Sequence, residues 1–265
     1  MTRVAVVGHV EWVEFLLLPR FPRRGQVAHA EEGFLRAAGG GGVAAVMLAE
    51  LGADVDFFTA LGDDANGHAA VAELEDRGVL MHVAWRKQPT RRATTLLENG
   101  ERTIITLGER LEPRADDKLD WDVVRHVASV YFTAGDAGAL RHSRQARAVV
   151  ATPRAREVLE AAGVQIDALV FSESDHDEAT WAKHVAAHTR LLVATEGAHG
   201  GRWWGESEGR WDSAPLPGEP HDSYGCGDSF AAAFALGLGR GDSIADAAAL
   251  GAQAGALALT RIGVP

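Results

Sequence analysis

The sequence predicts an α/β fold: a mostly parallel sheet with helices on both faces and a small β lid beside it. Three observations carry that prediction. From Leu119 onward, short apolar runs alternate with helical stretches, the rhythm of a parallel sheet covered on both sides. Asn99-Gly100 stands between two β-rich runs, which marks a hairpin. Residues 11–36 mix Phe15-Leu16-Leu17-Leu18 with Pro19, Pro22 and Arg23-Arg24-Gly25, a pattern of strands and turns that leave the main sheet.

In chain order, Val4-Ala5-Val6-Val7-Gly8 is an apolar run ending in glycine, a buried first strand. Gly39-Gly40-Gly41-Gly42 opens an apolar helix over residues 43–51, closed by Gly52. A strand is predicted at 54–60, a helix at 65–76 and a strand at 79–85. The hairpin follows at 93–98 and 101–107. Strands at 129–133, 149–151, 167–171 and 191–195 alternate with helices at 139–147, 154–162 and 178–187. Residues 202–204 and 209–211 form an edge hairpin, and two Ala-rich helices end the chain at 228–238 and 244–260. The chain reads as one unit over 1–265, with lid segments near 11–36 and 86–107 inserted in it.

The 265 residues are 46% hydrophobic and 24% charged, enough for a substantial core. A net charge of −11 argues against nucleic-acid and anionic-membrane partners. The one cysteine, Cys226, permits no internal disulfide, which fits a reducing cytosol. Met1-Thr2-Arg3 runs straight into the first strand, so no leader is expected, and no apolar run reaches transmembrane length.

The chemistry concentrates in Asp222-Ser223-Tyr224-Gly225-Cys226-Gly227-Asp228. Two glycines feed an apolar helix, so unpaired N–H groups and the positive end of the helix dipole face outward, a site for anionic oxygens. Asp228 stands beside that anion site as a candidate base for a hydroxyl proton. On local chemistry alone the stretch also reads as a flexible turn with Asp228 as helix N-cap.

Set beside the rest of the chain, this stretch resembles the Asp-Thr-x-Gly-Ala-Gly-Asp motif of the ribokinase-like carbohydrate kinases, the PfkB family. The glycine run at 39–42 resembles that family's N-terminal di-glycine motif. Thr90, Ala93-Thr94 and Gly100-Glu101-Arg102-Thr103 resemble its lid hairpin, and Thr195-Glu196-Gly197-Ala198-His199-Gly200 its nucleotide loop. Thr260-Arg261-Ile262-Gly263 resembles the end of its last helix. The resemblance implies a ribokinase-like α/β/α fold, a cytoplasmic location and ATP-dependent phosphorylation of a sugar or sugar-like alcohol. It implies Asp228 as base, with the amides of Gly225, Cys226 and Gly227 as anion hole. Thr195, Gly197 and Gly200 would lie along ATP. Asp222 and Ser223 would shape the same loop, where family members also hold a monovalent cation. Gly39, Gly40 and Gly41 would lie against the sugar. The lid would close over it and offers an edge for a homodimer.

Three departures stand out. Val43 replaces an Asn that follows the di-glycine. Val13, flanked by Glu11 and Glu14, replaces a sugar-binding Asp. Ser172-Glu173-Ser174-Asp175 replaces the Asn-x-x-Glu that organises Mg²⁺, leaving Asp175 to orient metal-bound water. Two rival readings follow: a nucleoside kinase, since apolar Val13 and Val43 suit a base, and a ribokinase-like metabolite-binding protein without catalysis. A dinucleotide-dependent dehydrogenase is set aside because no Gly-x-Gly-x-x-Gly follows the first strand. His184 and His188, four apart on one predicted helix, lack a third metal ligand. Cys226 lacks the orienting His of a nucleophile.

Overall fold

The structure is a computed structural model that describes residues 1–98 and 100–264. The strands are β1 Arg3–Val7, β2 Glu11–Leu17, β3 Glu32–Ala38, β4 Asp54–Gly62, β5 Val79–Arg86, β6 Arg92–Glu98, β7 Glu101–Leu107, β8 Ser129–Phe132, β9 Ala148–Ala151, β10 Ile166–Ser172, β11 Thr189–Thr195, β12 Gly201–Gly205 and β13 Gly209–Trp211. The helices are α1 Gly39–Glu50, α2 Ala65–Asp76, α3 Ala137–Ser143, α4 Arg156–Ala162, α5 His176–His184, α6 Cys226–Arg240 and α7 Ile244–Leu259.

Nine strands form the main sheet in the order β13-β12-β11-β10-β9-β8-β1-β4-β5. It is parallel from β11 to β5, and the predicted edge hairpin β12–β13 runs antiparallel. The central strand shows why the sequence chooses this architecture. Successive residues of a strand point to opposite faces. In β1, Val4 and Val6 join the core under α1, α6 and α7, while Ala5 and Val7 join the core under α3, α4 and α5. A strand buried on both sides reads as a continuous apolar run.

Four differences from the sequence prediction have physical reasons. The glycines at 39–42 form the first turn of α1 instead of preceding it. Their backbone is pressed too closely for side chains: a Cβ on Gly41 would come within 2.6 Å of the Phe57 ring. Helix α6 begins at Cys226, so Asp228 lies inside its first turn, with left-handed Gly225 (φ 73°) as N-cap. Helix α3 stops at Ser143, after which Gln145 and Ala146 N–H reach three residues back to the His142 and Ser143 carbonyls and tighten the chain, while the Arg144 guanidinium holds the exit on the Ala146 and Arg147 carbonyls and Asp167. His188 lies in a separate turn outside α5, so the two histidines do not share a helix.

The lid is a four-stranded sheet in the order β3-β2-β6-β7. Residues 11–36 would suggest an antiparallel lid, yet β2 and β6 pair in parallel. Both leave the carboxyl ends of parallel strands, β1 and β5, and so travel the same way. Arg86 belongs to β5 of the main sheet, not to the lid. The turn residue Asn99 lies outside the described residues. Among the described residues, no helix is long and apolar enough to cross a membrane.

At the far end of the sheet, buried Asp56 accepts from Arg3 at 2.6 and 2.9 Å and meets His82 at 2.9 Å. Burial alone would raise this carboxyl, but His82 and Arg3 hold it below its ordinary value. Its stabilising contribution is therefore present above pH 3.8 and lost as pH falls through the lowered value. Asp56→Ala is expected to cost about 2–3 kcal/mol in urea unfolding at pH 7. That is less than for a fully buried pair, because Arg3 is 41% exposed.

Candidate active site

Parallel strands end along one edge of the main sheet, where α/β proteins bind ligands. His9 follows β1, Thr133 follows β8, Arg154 follows β9, Ser172 ends β10 and Thr195 ends β11. The first turns of α1 and α6 meet at this edge: a Cβ on Gly40 would stand 2.9 Å from Asp228 Oδ1.

Asp228 occupies the third position of α6 and is half-buried. It caps nothing. Its Oδ1 accepts from the buried Tyr131 hydroxyl at 2.8 Å. Burial raises this carboxyl above the ordinary range, against the Tyr131 bond and the Arg154 charge, which pull it down. Arg154 is itself braced by Glu178 at 2.8 Å and Asp175 at 3.7 Å.

The turn before α6 is built on contact as well as sequence. A Cβ on Gly225 would meet Val43 Cγ1 at 2.6 Å, and the φ of 73° already favours glycine. The Ser229 amide makes the first helical bond, to the Gly225 carbonyl at 2.8 Å. Cys226 N–H makes a long 3.4 Å bond to the Ser223 carbonyl. Gly227 N–H has no acceptor among the described residues, and a Cβ there would meet open space. Asp222 is buried, its carboxyl raised by that burial, and accepts from Tyr224 N–H at 2.6 Å and Gly263 N–H at 2.8 Å. It ties the turn to the end of the chain. Ser223 is exposed and touched by Arg102 of β7. Burial pushes the Cys226 thiol up to about 12, so it is a neutral thiol near neutrality.

On the lid side, Gly39 N–H donates to the Tyr224 hydroxyl at 3.3 Å. A Cβ on Gly39 would lie 3.1 Å from His9 and 3.3 Å from Glu11. Glu11 Oε1 sits 3.0 Å from Arg91 Nε and 3.8 Å from His9 Nε2. Burial, aided by the charges of Arg110 and Arg91, lowers the His9 imidazole to about 3, so it is neutral near neutrality. Its buried Nδ1 has no hydrogen-bond partner among the described residues. Val13 is fully buried in the apolar core, and Val43 lies beneath the Gly225 turn. Glu14 is exposed. Phe15 stacks on Phe34 and meets Tyr224 edge-on, packing the lid against the turn.

At the other end, Thr195 Oγ1 donates to the Phe171 carbonyl at 3.3 Å. Gly197 and Gly200 take positive φ values of 59° and 75°. A side chain on Gly200 would overlap the Trp211 carbonyl, whereas Gly197 faces open space. Asp175 is the N-cap of α5, accepting from Asp177 and Glu178 N–H at 3.1 Å. Ser172 and Ser174 hydroxyls stand 2.9 Å apart beside it.

Clefts of about 490 and 560 Å³ flank the contact between lid and turn. Asp222 and Ser223 line the larger, and Asp228 lines neither. Four residues of this site are not evident from the sequence. Tyr131 sits in a run that reads as core, and Arg154 reads as a helix start. Tyr224 is masked by the glycines after it. His9 carries one signal, a polar residue directly after the first strand.

Comparison with known proteins agrees with the fold and gives the family. The family model described as "pfkB family carbohydrate kinase" matches residues 1–146 and 135–264. An inositol 3-kinase of Oryza sativa subsp. japonica is 39% identical over 134 residues, 50% of this chain and 30% of that protein. Ribokinase of Arabidopsis thaliana, solved with ribose and ATP, superposes with TM-score 0.77 at 21% identity, covering 100% of this chain and 95% of that one. Adenosine kinase of Sinorhizobium meliloti superposes with TM-score 0.78 at 21% identity, covering 99% and 95%. The family match spans both the lid and the Gly225 turn, and the chain belongs to the pfkB family of carbohydrate kinases.

Proposed function

We propose that this protein transfers the γ-phosphoryl group of ATP to a hydroxyl of a sugar or sugar-like polyol. The observation that carries the reading is Asp228: a carboxylate inside the first turn of α6, where a Cβ on Gly40 would meet it, and next to a Gly227 amide with no acceptor among the described residues. Oδ2 of Asp228 takes the acceptor's proton as the oxygen attacks in line. The amides of Gly225, Cys226 and Gly227, at the positive end of α6, hold the transferred phosphoryl oxygens. Thr195, Gly197 and Gly200 lie along the nucleotide, where Gly197 leaves open space. Asp222 keeps the turn in shape through its two amide bonds, and Ser223 meets the lid. A monovalent cation would act there by fixing the same loop.

Ser172, Ser174 and Asp175 offer only oxygen donors, which suits a hydrated Mg²⁺. The metal, when bound, neutralises charge on the phosphate oxygens. Arg154, braced by Asp175 and Glu178, adds a positive charge at the same edge.

Gly39, Gly40 and Gly41 floor the acceptor site, with Glu11, Arg91 and His9 at its wall. A carboxylate, a guanidinium and a neutral imidazole together offer donors and acceptors to adjacent hydroxyls. Val13 and Val43, the residues that suit a nucleoside acceptor by type, are buried. The polar wall therefore favours the sugar or polyol reading. Incubation with ATP and a panel of sugars, cyclic polyols and nucleosides tests it. Phosphorylated sugar or polyol is the expected product. Binding of such compounds without any ATP-dependent product points to a non-catalytic binding protein, and the reading is then wrong.

The lid also supports a homodimer. By register, Ile105 and Leu107 share its outer face, with Leu35 on the same face across Glu14 and Thr94; they are 59%, 61% and 47% exposed, and exposed apolar side chains grouped on one face mark an interface. Ile105→Asp is expected to convert a dimer to monomer in light scattering, with the monomer's secondary structure intact. An unchanged mass in the variant excludes this face.

A further inference from the structure

We propose that Tyr131 is a positioning residue for the base: its hydroxyl holds Oδ1 of Asp228 so that Oδ2 alone is presented to the acceptor. This rests on the reading of Asp228 as base given above. Tyr131 lies in β8, paired with Val6 of β1 and Val150 of β9, and is 1% exposed. Its neighbours in that layer are apolar, so a phenylalanine would satisfy the packing. A buried hydroxyl without a partner is costly, and its partner here is Asp228 at 2.8 Å. Among the described residues, no other group donates to that carboxylate.

The bond works in both directions. It fixes the carboxylate's rotation about its terminal bond, which a helix alone leaves broad. It also favours the ionised form of a group that burial pushes toward the neutral form. Charged groups from neighbouring elements act on the same carboxylate: Arg154 after β9 and Arg102 of β7 lower it, and Glu178 of α5 raises it. Tyr131 is the group among these that touches it by hydrogen bond. A base kept ionised near neutrality, with one oxygen locked, is what proton abstraction from an alcohol requires.

The chain has two tyrosines, Tyr131 and Tyr224, so labelling with 3-fluorotyrosine gives a resolvable ¹⁹F spectrum of the folded protein. The Tyr131 resonance is expected to titrate with Asp228, and the inflection to vanish in Asp228→Asn. In Tyr131→Phe, the acid limb of the pH profile of phosphoryl transfer to the panel's best acceptor is expected to move up by about one pH unit. The loss is then greater at a pH on that acid limb than at pH 9, approaching tenfold only below the midpoints of both enzymes. No inflection in the labelled wild type, or a loss in Tyr131→Phe that is equal at both pH values, overturns the proposal. The two readings are separable. Full transfer by Asp228→Asn removes the base assignment and this role with it. An inactive Asp228→Asn with no Tyr131 inflection removes only the role of Tyr131.

Discussion

Asp228→Asn is expected to lower turnover by roughly 10²–10⁴-fold while leaving ATP affinity within a factor of a few. The amide keeps the shape of the carboxylate and still accepts from Tyr131, but it takes no proton. Nucleotide affinity should persist because the Gly225 turn and the Thr195 loop do not depend on that charge. Folding stability should move the opposite way. Burial raises the Asp228 carboxyl above its ordinary 3.8, so the native state holds the proton more tightly than the unfolded chain. Stability then falls as pH rises through the window between 3.8 and the raised value. Asp228→Asn is accordingly expected to be more stable than wild type at pH 7–8, with the gain disappearing below pH 4. Calorimetry at both pH values checks this. Equal stability at pH 8 would mean that the carboxylate is not held against its preference.

Gly225→Ala is the second large effect. The left-handed φ of 73° disfavours any Cβ, and this Cβ would sit 2.6 Å from Val43 Cγ1. Strain and overpacking together are expected to cost about 2–4 kcal/mol. The turn's relief would displace the Cys226 and Gly227 amides, and a displacement near 1 Å costs about 10²-fold in rate. The two contributions separate in a double-mutant cycle. Val43→Ala removes the methyl groups that the introduced Cβ would strike, so it should recover part of the lost stability, with a coupling of about 0.5–3 kcal/mol. The φ strain would remain. Additive losses would show that Val43 does not dictate glycine at this position, and that the turn owes its glycine to φ alone.

Most of the fold is legible in the sequence because it rests on periodicity. Strands β1, β4, β8, β9, β10 and β11 are short apolar runs, and the helices between them carry their own boundaries, such as Asp64 capping α2 through Gly67 N–H. The lid's direction is not legible, because parallel pairing of β2 with β6 follows from where β1 and β5 end, a fact of topology. The glycine run at 39–42 misleads for a related reason. Glycine normally disfavours helix, and only the neighbours Asp228, Phe57 and His9 reveal that close packing requires it there. In the site, the glycine turn before Asp228 is visible from residue types and spacing, whereas the roles of Thr195, Gly197, Gly200 and Gly39–Gly41 are legible only through the resemblance to the pfkB family. Tyr131 is invisible, since a tyrosine between valine and phenylalanine in a strand reads as core until its hydroxyl is seen on Asp228. Val13 and Val43 stand, by sequence, where acceptor contacts are expected, and their burial places them in packing. In the proposed acceptor site, Glu11 and His9, at the edge where β1 gives way to the lid, would supply the polar wall instead.

The most direct test is a crystal structure of the chain with ADP, Mg²⁺ and aluminium fluoride, which mimics the phosphoryl group in transfer. The expected result is the fluoride cluster within about 2.7–3.1 Å of the Cys226 and Gly227 amides, with Oδ2 of Asp228 facing its open side and Oδ1 still on Tyr131. A cluster bound away from the Gly225 turn, or an Asp228 carboxylate turned from it, would contradict the account.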